Sequence, residues 1–363
     1  MSNVLHTESS VGWGGQEVRI LTEARWLGDR GWRVLIAGQP QSPILAEAGR
    51  SGIPVVAVPM RGPWDVAAVA RLAAVIRRER LSLVHTHSSV DAWLGGMAAR
   101  VSGVPVVRSR HVSISIRGRW NPVYSLLADR VVTSGETIRR LLVTAGVSAA
   151  KVIAVPAGVD LNDFTPGPGG ERVRVELGLT SPVIGSVAMF RGSKGHQYLL
   201  EAFEIVLREF PTARLLLVGD GIRRAWVESL VGERKLSRAV MFTGFRPDVP
   251  DLLRALDCFV LASVRTEGVP QSLLQALATE IPVVASSVGG VPEVLEHEVT
   301  GLLVPSGDPQ RLAAALLATL REPELARRRA KAGRELVEAR FSRARTVDRM
   351  VALYDELLAA WHR

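Results

Sequence analysis

The chain has 363 residues, too many for one comfortable core, so two domains are the default. Hydrophobic residues make up 47%, yet no apolar run reaches the roughly eighteen residues of a membrane span, and the lone Cys258 excludes an intrachain disulfide. The formal charge of +9 is uneven: residues 1–165 hold 19 Lys+Arg against 12 Asp+Glu, whereas residues 166–363 hold 26 against 24.

The start, "MSNVLHTESS", has neither a charged n-region nor an apolar h-region, which argues against secretion and for a reducing cytoplasm. "ESSVGWGGQE" follows the first strand and opens the first helix, with Gly14 and Gly15 at the junction. "WRVLIAG", "IPVVAVP", "LSLVHTH", "VPVVRSR" and "DRVVTSG" read as buried strands, with helices such as "WDVAAVARLAAVIRRER" between them. This is the βα alternation of a parallel, doubly wound sheet. From Ala92 to Ala128 there is no acid, while the window holds Arg100, Arg108, Arg110, Arg117 and Arg119. Such a surface suits nucleic acid, an acidic membrane or a phosphorylated substrate. Aromatic residues are only 5%, so stacking platforms are scarce and nucleic acid is not the expected partner.

The alternation breaks near "VDLNDFTPGPGG", where residues 160–170 read as a linker that closes a first domain of residues 1–165. It restarts in a second domain, 166–340, with strands "SPVIGSVAM", "ARLLLVGDG", "AVMFTG", "LDCFVLAS", "IPVVASSVGG" and "TGLLVP". Residues 341–363 read as a C-terminal helix, with packing back on the first domain as an option. The expected fold is α/β, two doubly wound domains with a cleft between them, and ligands sit beyond the carboxyl ends of such strands. Cys258, inside "LDCFVLAS", reads as a core thiol.

Three glycine-bearing loops follow strands: "ESSVGWGGQE", "FRGSKGHQ" and "TEGVPQSLLQAL". Each offers backbone N–H groups at a helix start, where an anion is favoured. None is a mononucleotide fingerprint, since neither G-x-G-x-x-G nor G-x-x-x-x-G-K-S/T occurs. No paired-histidine zinc motif and no Asp-x-Asp occur, so no metal and no bound cofactor are expected. Lys194 is one of only four lysines in an arginine-rich chain, and its loop wants a compact point charge. His111 ends "VVRSRH", and His85 and His87 end the strand "LVHTH", which makes them candidates as well.

Together "RGSKGHQYLLEAF", "LLLVGDG", "VIAVPAGVDLNDFTP" and "EGVPQSLLQALATEIPVVASSVGGVPEVLEHEVTGLLVPSGD" resemble the retaining GT-B glycosyltransferases of family four, of the type that builds bacterial lipopolysaccharide or capsule. "GWGGQE" and "RSRH" agree, and the resemblance spans nearly the whole chain. It implies transfer of a hexose from a nucleotide-diphosphate sugar to a glycolipid or oligosaccharide acceptor, on the cytoplasmic side, with peripheral contact to an anionic inner-membrane face as an option. It implies that Lys194 contacts the donor diphosphate and that Glu267 bonds the sugar hydroxyls beside the backbone of Gly268, Val269 and Pro270. Gly14 and Gly15 would close on the phosphates, and His111 would sit at the reacting carbon.

Two positions depart from the family pattern. The usual glycine-arginine ahead of the lysine reads Ala188-Met189, and Arg191 is the guanidinium available in the same loop. The second carboxylate of the usual E-x7-E is Gln275, an amide that can still accept a hydrogen bond from a ribose hydroxyl. No carboxylate matches a nucleophile for double displacement, so the resemblance favours front-face attack without a metal. A sugar-nucleotide epimerase on the same architecture and a non-catalytic binder of anionic glycans are the competing readings. "ISIRGRWNPVYSLLADR" mixes Arg117 and Arg119 with Trp120, Tyr124 and a leucine pair, the composition of a surface that sits on anionic lipid.

Overall fold

The first unit builds its sheet from apolar runs that must be covered on both faces. In chain order it contains β1 (Asn3–Glu8), α1 (Gly15–Gly28), β2 (Arg33–Gly38), α2 (Pro43–Arg50), β3 (Val55–Ala57), α3 (Val66–Arg78), β4 (Leu83–Thr86), α4 (Ser89–Ser102), β5 (Val106–Arg110), β6 (Arg130–Thr133), α5 (Glu136–Thr144) and β7 (Val152–Ala154). The second contains α6 (Gly170–Leu177), β8 (Val183–Val187), α7 (His196–Glu209), β9 (Arg214–Val218), α8 (Arg224–Glu233), β10 (Val240–Gly244), α9 (Val249–Arg254), β11 (Cys258–Leu261), α10 (Gln271–Ala278), β12 (Val283–Ser286), β13 (Leu302–Val304), α11 (Pro309–Arg321) and α12 (Pro323–Arg340). The last helix, α13 (Arg343–Trp361), belongs to the first unit. The computed structural model describes residues 3–112, 116, 121–180, 182–265 and 267–361. By contacts the units are Met1–Ala157 with Arg343–Arg363, and Gly158–Ser342.

Every strand pairing is parallel, and the sheet orders are β3-β2-β1-β4-β5-β6-β7 and β10-β9-β8-β11-β12-β13. In each sheet the direction of winding reverses once, between β1 and β4 in the first and between β8 and β11 in the second. At such a reversal the two departing chains turn to opposite faces, which leaves a crevice beyond the strand ends.

Strand alternation divides the cores. Val4 faces a cluster with Ile20, Leu27 and Val107, whereas its neighbour Leu5 faces Leu72, Ile76 and Leu94. α13 completes the first of these with Met350, Leu353, Tyr354 and Leu357, each contributing about 1.5–3 kcal/mol by burial. In the second unit, Phe259 and Leu261 of β11 pack toward α10, and Cys258 and Val260 pack toward α7. Cys258 is fully buried, and burial pushes its thiol well up, so it is inert core. No described helix is long and apolar enough to cross a membrane.

Candidate active site

In the second unit the loops after β8 and β11 lie at the reversal and are locked together by backbone. Val264 N donates to Ser193 O at 2.8 Å, and Gly195 has φ +65 with its Cα against Ala262. A Cβ on Gly195 would lie 2.0 Å from Ala262 O. Gly195→Ala is therefore expected to destabilise this unit by about 3 kcal/mol, from backbone strain and overpacking. Urea unfolding checks this, and a loss below about 0.5 kcal/mol would contradict it.

This lock carries Lys194, at the end of a single 3-10 turn, to Glu267. Lys194 Nζ donates to Glu267 Oε1 at 2.6 Å, and Ser263 Oγ donates to the same oxygen at 2.5 Å. Glu267 is only 6% exposed, so its charge is held in place by these two donors. A third loop braces it from behind: Gly290 N donates to Glu267 O at 3.2 Å, and any Cβ on Gly289 would lie 2.1 Å from that carbonyl. Val269 is in the core, so only its backbone is available to a ligand, and Pro270 caps α10. Gln275 is half-buried on α10 and Arg191 is exposed. His196, the first residue of α7, stacks on Phe190 with ring centres 4.6 Å apart, and burial followed by the Lys194 charge lowers it to about 4. Thr266, within the quoted motif, lies outside the described residues.

In the first unit the reversal gathers a second polar cluster. Gly14, in extended conformation, caps α1, and Gly15 starts it with open space where a Cβ would be. Gln16 Nε2 donates to Glu8 Oε2 at 2.5 Å and to Ser88 Oγ at 2.9 Å, and Ser88 Oγ donates to Glu8 Oε1. Ser88 and Asp91 form the capping box of α4, and Asp91 also accepts from Thr7 and Ser9. Glu8 and Asp91 are both fully buried. Desolvation, then the charge of Asp91, pushes Glu8 up to about 7, and desolvation raises Asp91 as well.

His111 follows β5, half-buried, and its Nε2 lies 3.1 Å from His87 Nδ1. His87 Nε2 lies 2.9 Å from His6 Nδ1, and His85 bonds Tyr354 and Ser109. Burial lowers all four histidines, His6 to about 3 and the others well below the usual imidazole range. Among the described residues, His6, His85 and His87 are the one group of three with ligand nitrogens close enough for a metal, within 4.8 Å. Those nitrogens already bond one another, Tyr354 and Ser109, so the donor set fits a hydrogen-bond chain better than a metal.

Lys194 and Glu267, expected on two separate loops with separate roles, are joined by the structure in one ion pair. Glu8 opens the stretch "ESSVGWGGQE", and Gly289 and Gly290 lie in "VVASSVGGVPE", but the sequence does not single out their roles; Ser263, Asp91 and His6 carry no local motif of their own. Arg117, Arg119 and Trp120 lie outside the described residues. Tyr124 is 4% exposed and packs on Ala92 and Val131, so it faces core and not a lipid surface.

Two protein families match the chain: Glycosyltransferase Family 4 over residues 13–163 and Glycosyl transferases group 1 over residues 171–336. The D-inositol 3-phosphate glycosyltransferase of Thermobispora bispora is 28% identical over 96% of this chain and 91% of its own. The Escherichia coli enzyme UDP-Gal:alpha-D-GlcNAc-diphosphoundecaprenol alpha-1,3-galactosyltransferase is 26% identical over 81% and 80%. Anabaena HepE, solved with UDP-glucose, aligns with a TM-score of 0.88 over 98% of this chain and 100% of that one, at 21% identity, a likeness of fold.

Proposed function

The chain is a family-4-like glycosyltransferase of the GT-B fold, and from that premise we propose that it moves a hexose from a nucleotide-diphosphate sugar to a lipid-linked or polysaccharide-precursor acceptor, with retention and without a metal. The observation that carries the reading is the Lys194–Glu267 ion pair at the strand-order reversal of the second unit. A diphosphate meets the Lys194 ammonium and the N-terminal N–H groups of α10, fixed donors that stabilise the leaving group as its charge develops. Oε1 of Glu267 is taken by Lys194 and Ser263, so Oε2 is the oxygen we assign to a sugar hydroxyl. Gln275 is assigned to the ribose and Arg191 to the outer phosphate.

In the transfer, the acceptor oxygen bonds to the anomeric carbon on the face from which the diphosphate leaves. The carbon–phosphate-oxygen bond breaks, and the acceptor proton passes to the departing phosphate oxygen. No enzyme carboxylate is consumed in this step. His111 orients the acceptor through a hydroxyl other than the attacking one. The basic excess of residues 1–165 suits an anionic, lipid-diphosphate-linked acceptor of the kind named for the Escherichia coli relative.

The test is turnover of a panel of UDP- and GDP-hexoses with a polyprenyl-diphosphate-linked N-acetylglucosamine, in excess EDTA. One donor is expected to give free nucleoside diphosphate and an α-linked product at the rate seen with magnesium. Loss of turnover in EDTA, restored by magnesium or manganese, would overturn the metal-free reading. A β-linked product would overturn retention.

A further inference from the structure

His6, His87 and His111 are joined through their ring nitrogens, and the geometry of the rings is specific. His6 and His87 have centres 5.0 Å apart, planes inclined by 17°, and an Nδ1···Nε2 distance of 2.9 Å. His87 and His111 repeat this with 5.4 Å, 22° and 3.1 Å. A nitrogen–nitrogen distance near 3 Å at these centre separations places the rings end to end and nearly coplanar, as in a hydrogen-bonded ribbon of imidazoles. Each neutral ring in such a ribbon donates from one nitrogen and accepts at the other. The proton positions are therefore not independent: fixing one ring fixes all three.

The far end fixes them. Tyr354, on α13, has one hydroxyl proton and lies between two imidazole nitrogens, 2.5 Å from His85 Nδ1 and 3.5 Å from His6 Nε2. Hydroxyl-donated bonds are the shorter class and N–H-donated bonds the longer. The Tyr354 proton accordingly belongs in the short bond to His85, whose Nε2–H then donates to Ser109 Oγ at 2.7 Å. The Tyr354 oxygen accepts from His6 Nε2–H. His6 Nδ1 is left to accept from His87 Nε2–H, and His87 Nδ1 to accept from His111 Nε2–H.

We propose that His6, His87 and Tyr354 are positioning residues that hold His111 as its Nε2–H tautomer, so that Nδ1 presents a lone pair to a substrate hydroxyl. This deepens the reading of His111 as the group that orients the acceptor, and rests on it. A histidine with a fixed lone pair accepts from a neighbouring hydroxyl of the acceptor, which sets the acceptor's orientation and leaves the proton of the attacking hydroxyl free to pass to the departing phosphate oxygen. Burial keeps the whole ribbon uncharged, which preserves the one-donor, one-acceptor rule at each ring.

The test combines nitrogen-15 NMR of the seven histidines with steady-state kinetics on the intact chain. In the parent, His111 is expected to show a protonated Nε2 and a bare Nδ1. Tyr354→Phe keeps the ring and removes only the hydroxyl, remote from His111. It is expected to give a mixed tautomer at His111 and to lower kcat by about 10–100-fold, the scale of losing a group that orients a reacting side chain, with the donor KM changed less than about twofold. His87→Phe is expected to do the same more strongly. A parent spectrum with the proton on Nδ1 of His111 overturns the proposal whether or not either variant folds. So does an unchanged tautomer and kcat in a folded Tyr354→Phe. Full activity of His111→Ala would instead sink the role given to His111 itself, while the parent spectrum still decides the ribbon.

Discussion

Lys194→Ala is expected to lower kcat/KM for the nucleotide-sugar donor by the equivalent of about 2–4 kcal/mol, a loss of roughly 30- to 1,000-fold. Two effects act in one direction. The ammonium assigned to the diphosphate is gone, and Glu267 loses its 2.6 Å cation while remaining buried against Ser263. A bare carboxylate then faces the anionic donor, which costs more than removing a solvated lysine would. Glu267→Gln is expected to be nearly as damaging, because an ionised acceptor makes the stronger bond to a sugar hydroxyl. Gln275→Glu, by contrast, is expected to lose less than about tenfold, since both side chains accept from a ribose hydroxyl. Donor-saturation kinetics of the three variants check this. Equal damage from Glu267→Gln and Gln275→Glu would show that the sugar and ribose assignments are misplaced.

Stability is expected to collapse on mild acidification, between about pH 6.5 and pH 5. His6, His85, His87, His111 and His196 are all held below their ordinary range, chiefly by burial. The unfolded chain binds protons on these rings from about pH 6.5 downward, and the folded chain does not. The stability they contribute is thus complete above pH 6.5 and is lost as pH falls toward the folded values, about 3 for His6 and about 4 for His196. At pH 5 His6 and His196 each cost about 2 kcal/mol, and the other three act in the same direction. Glu8 and Asp91 oppose them, since burial raises both carboxyls. The Glu8 carboxyl favours the folded state below its unfolded value near 4.5, and that contribution, about 3 kcal/mol, is lost as pH rises through about 7. Two carboxyls do not offset five imidazoles. Four of the five rings lie in the first unit, whose melting temperature is expected to fall by at least about 10 °C between pH 7.5 and pH 5. A melting temperature unchanged over that interval would mean that these rings are protonated in the folded chain.

The βα alternation was legible because strands buried on both faces must read as short apolar runs, and "LDCFVLAS" or "IPVVASSVGG" can do little else. The association of Arg343–Arg363 with the first unit is a long-range fact. Helical periodicity in "TVDRMVALYDELLAAWHR" shows which stripe is apolar but not which sheet receives it. At the site, Lys194 and Glu267 stood out through glycine-bearing loops that local chemistry makes conspicuous. Glu8, Asp91 and Ser263 did not, because a carboxyl or hydroxyl in a strand-to-helix turn has no sequence mark until a strand far along the chain is placed beside it. The histidine ribbon shows the same limit. His85 and His87 could be singled out at the end of a strand, but His6 and Tyr354 are joined to them by pairing of β1 with β4 and docking of α13.

The strand-order reversal of the second unit is expected to bind a nucleoside diphosphate through Lys194. Titration calorimetry of UDP and GDP against the parent and Lys194→Ala, both confirmed folded by melting and both in EDTA, tests it most directly. The parent is expected to bind one of the two nucleotides with a one-to-one stoichiometry, and Lys194→Ala to bind it at least about 30-fold more weakly. Equal affinity of parent and variant for the same nucleotide would contradict it.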